Sequence, residues 1–325
     1  MKRAYSIFFV VTLLSCVWIS LNTGITKLHG VLNLLLGHGE QSEILIAQEI
    51  RAPRVLAAIL VGFVLGVCGA LSQGGLRNPL AEPILLGTTG GAALFSIFAI
   101  TFFKVNLGSS IAIGCGILGA LLATVVTFYI GNQGKNTLSF IITGIAVSSI
   151  LTAAVGILVI SMNKPEAKGI IFWALGTLSM ATKNQVMTIL PIIFITCILA
   201  ILIAPNLDYL GIGDERARHL GKNVRAIKLS VFVIIAIGMG CITSIFGQIS
   251  FLSLAVPHIT RAIFGVKHRS LVINSGIIGA ILLIISDLIA RSAAQPNEIP
   301  IGFMTALIGA PILILAAKKW SRSHA

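Results

Sequence analysis

Long apolar runs alternate with short polar breaks along the whole chain, as in VLAAILVGFVLGVCGAL at 55–71 followed by LFSIFAITFF at 94–103. A run of roughly 20 apolar residues crosses the hydrocarbon core of a bilayer as a helix. The pattern predicts ten helical spans, at approximately 4–24, 54–75, 84–104, 109–130, 139–161, 186–204, 228–247, 250–266, 270–290 and 301–317. The N-terminal MKRAYSIFFVVTLLSCVWISL resembles a signal peptide, but its apolar stretch is too long and lacks a small-residue cleavage site. It is therefore read as a retained first span. The fold class is an all-α polytopic membrane protein, with residues 1–325 forming one transmembrane unit and no room for a large soluble domain.

The polar breaks are of unequal kind. NPLAEPILLGTTGGA, residues 78–92, places Asn78, Pro79, Pro83 and Glu82 between two apolar runs. Its two prolines oppose a continuous helix. It is either an ordinary connection or a working loop. Residues 26–50 carry Glu40, Glu43 and Glu49 and are too polar to span, which predicts an external segment with one short interfacial helix. Residues 163–185 form a second outer segment, with a short helix that dips partway in. The longest polar stretch is PNLDYLGIGDERARHLGKNVRAIK, residues 205–228. In it Ala217, Leu220 and Val224 recur at helical spacing among charged residues, and Gly221 is expected to divide the segment into two short helices. A solvated loop and a docking element for a partner on that side both fit this pattern.

Composition agrees with the spans. The chain is 56% hydrophobic and 10% charged, with a mean hydropathy of +1.01; soluble domains carry about a quarter charged residues. The formal charge of +13 would point to nucleic acid in a soluble protein. Here its distribution carries the meaning. With both termini inside, the inner segments hold 14 of the 23 basic residues, which follows the positive-inside bias. The outer segments still hold Lys27, Arg51, Arg54, Lys104, Lys164, Lys168, Lys183 and Arg291, an excess that needs its own explanation. Gly62 and Gly66, like Gly87 and Gly91, lie four apart and predict close helix packing.

Several chemistries are missing. No Walker A sequence, H-E-x-x-H or G-x-S-x-G is present. The five cysteines are dispersed through apolar runs, without disulfide or metal-ligand spacing. His258, the histidine expected to be buried, has no neighbouring ligand in sequence. Two carboxylates fall at or near membrane depth, Glu82 and Asp287, and Asp287 can pair with Arg291 one helical turn on. An intramembrane enzyme would need a convergent catalytic pair. An ion-coupled secondary carrier would need facing ionisable groups in the membrane. A neighbouring reading frame encoding an ATPase would favour an ATP-driven system over both.

Five blocks together resemble one family. RAPRVLAAILVGFVLGVCGALSQGGLRNPLAEPILLGTTGGA at 51–92, LGIGDERARHLG at 210–221, FLSLAVPHITR at 251–261, SDLIAR at 286–291 and EIPIGFMTALIGAP at 298–311 are similar to the permease subunits of bacterial ABC importers for ferric siderophores, haem and cobalamin. The resemblance covers essentially everything after the first span. It implies ten helices per subunit in a homodimer, two cytoplasmic ATPase subunits, an extracytoplasmic substrate-binding protein and a metal chelate as cargo. It also implies an inner-membrane location. ATP would bind the partner ATPase, with no cofactor or metal held by this chain. On the matching positions it implies a gate at Leu80, Thr137 and Leu138. It implies an ATPase-coupling loop with Asp214, Glu215, Ala217, Arg218, Leu220 and Gly221. It also implies binding-protein contacts at Arg51, Arg54 and Arg291, here expected as exposed rim charges. Two departures stand out. Ser253 occupies a position that is usually glycine, and Leu138 follows Thr137 where a relative carries serine.

Overall fold

The computed structural model describes residues 2–324 apart from 25, 27, 135, 162–165 and 296. Lys27, Lys135 and Lys164 therefore lie outside the described residues, as do the side chains of Lys2, Arg3, Lys168, Lys318, Lys319 and Arg322. Helices make up the regular structure of the described residues. The long ones are α1 (Lys2–Asn22), α4 (Ala52–Leu76), α5 (Thr88–Phe103), α6 (Ser110–Ile130), α7 (Thr137–Ser161), α9 (Lys183–Gly211), α11 (Val224–Phe246), α12 (Leu252–Phe264), α13 (His268–Ser292) and α14 (Ile301–His324). Short helices α2 (Val31–Leu35), α3 (Gln41–Leu45), α8 (Glu166–Ala174) and α10 (Asp214–His219) lie between them. Seven of the long helices are long and apolar enough to cross a membrane, and α5, α12 and α14 supply shorter apolar helices. The ten predicted spans thus each find their helix.

The core is built around α4, α11 and α13, whose Val61, Leu65, Phe232, Ile235, Leu283 and Ile284 are fully buried. Small residues set the spacing. A Cβ added to Gly62 would lie 2.5 Å from the Gly279 carbonyl oxygen, and one on Gly66 would lie 2.0 Å from that of Ser275, so α4 and α13 touch backbone to backbone. Gly91 meets the Gly119 carbonyl oxygen of α6 in the same way, at 2.3 Å.

One end of the helical bundle is called the inner end below, as the basic bias of the sequence expects. That end carries the α4–α5, α6–α7 and α12–α13 connections and α10. The segment before α4 departs from expectation. It holds two short helices, and α3 runs through a π-helical stretch, Ile46–Arg51, straight into α4. Pro53 has no N–H to donate into the preceding turn, and the helix passes it through the wider π-helical stretch. Helix α8 dips toward the bundle as expected: Trp173 is buried and its indole Nε1–H donates to the Ile245 carbonyl at 2.9 Å.

Candidate functional site

The loop after α4 answers the question its composition raised. The Asn78 side chain accepts from the Leu80 N–H at 2.9 Å and closes a tight turn. The Pro79 carbonyl meets His258 Nε2 of α12 at 2.9 Å. Glu82 Oε1 accepts from the Phe251 N–H and the Ser253 hydroxyl, both at 3.0 Å, at the start of α12. Burial pushes the Glu82 carboxyl up, and those two hydrogen bonds oppose the shift. Ala81 and Pro83 are buried, whereas Leu80 is 60% exposed. Pro79, Ala81, Glu82 and Pro83 thus anchor the loop to the bundle, while the Leu80 side chain stands free of it. Ser253 supplies one of the anchors. His258 serves the same loop and has no cluster of metal-ligating groups around it among the described residues.

Leu138, 67% exposed, begins α7 beside this loop. The Thr137 hydroxyl donates to the Leu76 carbonyl at 3.4 Å, which ties the start of α7 to the end of α4. Further along α7 the Ser148 hydroxyl donates to the Ile84 carbonyl at 2.8 Å. Thr137 is therefore held at the end of α4, four residues before Leu80, and Leu138 follows it in α7. Most of α7 is open: Ile142, Ile145, Ile150, Ile157 and Ile160 are exposed. The hydroxyls of Thr143, Ser149, Thr152 and Ser161 each donate to a carbonyl four residues back.

The coupling segment is shorter than expected. Helix α9 continues through Pro205 to Gly211, because Leu207 and Leu210 are buried in the core. Asn223 then caps α11 by accepting from the Ala226 N–H at 3.0 Å. One six-residue helix, α10, remains between them, so the expected pair of short helices is corrected to one. The predicted apolar stripe is also corrected. Ala217 and Val224 are buried, but α10 ends at His219, and Leu220 beyond it turns outward, 57% exposed. Glu215, Arg216, Arg218 and His219 are exposed around it. Asp214 points inward instead. Its Oδ2 accepts from Lys228 Nζ at 2.8 Å, and its Oδ1 lies 3.4 Å from Arg77 Nη2.

At the outer end, Arg51, Arg54 and Arg291 do not stand as free rim charges. Arg51 is buried and donates to the carbonyls of Leu21 (2.9 Å) and Thr26. Arg54 grips Asp287 with Nε and Nη2 at 2.9–3.1 Å. Its Nη1 and Nη2 reach Glu298 at 2.7 and 3.0 Å. Arg291 donates to the carbonyls of Ser20 and Thr23 and to the Ser20 hydroxyl, and its Nε lies 3.6 Å from Asp287. A planar five-donor fork suits such shared binding. The local Asp287–Arg291 pair expected from the spacing is present, but Arg54 is the stronger partner of Asp287. Glu298 was missed from the sequence as a functional residue; the outer excess of arginine was the signal for a missing carboxylate.

These features define a multi-pass helical membrane protein with an anchored loop after α4 and a short exposed helix, α10. The model of the FecCD transport family matches residues 8–319, and the chain belongs to that family. It is a permease of the iron-complex ABC importer type. It is 36% identical over 271 residues to the hemin transport system permease protein HmuU of Yersinia pestis, covering 82% of this chain and 81% of that one. It is 34% identical over 278 residues to the Fe(3+)-citrate import system permease protein YfmD of Bacillus subtilis, covering 85% and 82%. Among solved structures, a metal-chelate type ABC transporter in an inward-facing conformation superposes with a TM-score of 0.86 at 26% identity, over 98% of this chain and 99% of that one.

Proposed function

We propose that this chain is the inner-membrane subunit of an ATP-driven importer that passes an iron chelate into the cytoplasm. The observation that supports this reading is the chain of polar contacts that links α10, followed by exposed Leu220, to the segments carrying exposed Leu80 and Leu138. In this reading Leu80 and Leu138 close the inner mouth of the path, with Thr137 holding the start of α7. Two ATPase subunits seat on α10 through Glu215, Arg218 and Leu220, while Asp214 and Ala217 hold the helix to the bundle and Gly221 ends it. ATP stays on those subunits, and this chain carries no cofactor of its own. A second copy of the chain faces the open side of α7, so the path lies between the two copies.

The cargo class is a haem, ferric siderophore or related chelate; the names of the relatives favour an iron chelate. The binding protein docks on the outer face. There Arg51, Arg54 and Arg291 act by fixing the outer ends of α1, α4 and α13 against one another rather than as free charges. An ion-coupled carrier finds no support: Glu82 and Asp287 lie at opposite ends, each held by its own partners.

The test is uptake of a radiolabelled iron chelate into proteoliposomes containing this chain, the ATPase encoded beside it and the binding protein. Uptake is expected to need ATP inside, and Leu220→Asp is expected to abolish co-purification of the ATPase. Uptake that proceeds equally without ATP would overturn the reading.

A further inference from the structure

The inner end contains a charged cluster that neither the gate nor the docking surface accounts for. Lys228 lies in the second turn of α11 and is only 3% exposed. Burying an ammonium costs several kcal/mol unless its protons are satisfied. Here Nζ donates to Asp214 Oδ2 at 2.8 Å and to the Gly134 carbonyl at 2.7 Å. Gly134 belongs to the tight turn between α6 and α7, three residues before Thr137 and four before Leu138. The other oxygen of Asp214 faces Arg77, which ends α4 with φ 50° and precedes Leu80 by three residues. One carboxylate on the docking helix thus holds two cations. One cation grips the turn that leads to Leu138, and the other sits at the root of the loop that carries Leu80.

The mounting of α10 permits movement. Gly213, with φ +111°, precedes it, and Gly221, with φ +75°, follows it with no atom within 4 Å of an added Cβ. Both conformations are open to glycine at little cost. Between them, fully buried Ala217 keeps the underside of α10 seated on the core. A helix pivoting there moves Asp214 relative to Lys228 and Arg77. Oδ1 of Asp214 is buried and accepts no close hydrogen bond, so its bond to Arg77 at 3.4 Å has room to shorten.

We propose that Asp214 is a positioning residue that transmits movement of α10 to both halves of the inner gate, through Lys228 to the start of α7 and through Arg77 to the α4–α5 loop. The proposal rests on the reading of α10 as the ATPase seat and of Leu80 as part of the gate.

The experiment uses the assembled transporter with Leu80→Cys in a background lacking the five native cysteines, labelled by a maleimide with and without nucleotide. Asp214→Asn is expected to lower the ratio of chelate delivered to ATP hydrolysed about 5–10-fold, within the usual range of coupling between sites. It is also expected to remove the nucleotide dependence of labelling. Asp214→Glu is expected to restore part of both, which a simple fold defect would not allow. Should Asp214→Asn fail to fold, Arg77→Gln at the half-exposed partner carries the test. It is expected to show the unfolding temperature of wild type together with labelling that no longer follows nucleotide. Wild-type coupling and labelling in a folded Asp214→Asn or Arg77→Gln protein would overturn the proposal. Leu220→Asp separates the two ideas. If that variant still holds its ATPase, the docking assignment itself fails. If it loses the ATPase while Asp214→Asn stays coupled, only the role of Asp214 fails.

Discussion

The two ends of the molecule use the same kinds of charge in opposite ways. At the outer end two arginines, Arg54 and Arg291, face the carboxylates of Asp287 and Glu298, while Arg51 and Arg291 donate to backbone carbonyls of residues 20–26. The partners come from α1, α4, α13 and the segment before α14, so movement of any one of them breaks several bonds at once. At the inner end one carboxylate serves two cations, on a six-residue helix flanked by glycines. Redundant bonding makes a rivet and sparse bonding makes a joint. The outer surface is thus built to keep its shape, and the inner surface to be driven.

The largest expected effect tests the rivet. Arg54→Ala leaves buried Asp287 with only Arg291 at 3.6 Å and takes the partner from half-buried Glu298, and it should lower the free energy of unfolding by about 3 kcal/mol, read from thermal unfolding in detergent. A loss below about 1 kcal/mol, the value of an exposed pair, would erase the contrast between the ends. Ser253→Ala should have an intermediate effect. It removes one of the two hydrogen bonds to Glu82, should cost about 1–3 kcal/mol, and should speed maleimide labelling of Leu80→Cys. Unchanged labelling would mean that Ser253 does not restrain the loop. Leu220→Asp should have the smallest effect on stability, within about 0.5 kcal/mol, while it is expected to remove ATPase binding. A large loss of stability there would show that the docking surface is part of the fold and not a detachable contact.

The spans were readable because an apolar run long enough to cross hydrocarbon has few other structures open to it. The glycine spacing at 62 and 66 correctly announced backbone contact. The ends of helices were less readable. Helix α9 overruns its polar sequence because Leu207 and Leu210 find buried partners in the core, which local composition does not reveal. The stripe through Ala217 and Leu220 failed because helical spacing loses meaning once the helix stops at His219. The inward turn of the outer arginines was least accessible. The carboxylates that hold Arg54 lie 233 and 244 positions along the chain, and no local pattern reports such a pairing. The motif resemblance named Leu80, Thr137 and Leu138 as candidate gate residues, but the contacts of Ser253 with Glu82 and of Lys228 with Asp214 and Gly134 needed the fold.

The hydroxyls of α7 carry a consequence for how fast cargo leaves. Thr143, Ser149, Thr152 and Ser161 each direct their one proton to the helix backbone. Those of them that face the proposed path have only lone pairs to offer, and an iron chelate rich in oxygen acceptors gains nothing by pausing beside them. Passage through a pore requires that a solute be held weakly enough to leave. The dwell time inside the permease should therefore be short, and turnover should follow the rate at which the inner gate opens, with little dependence on which chelate is aboard.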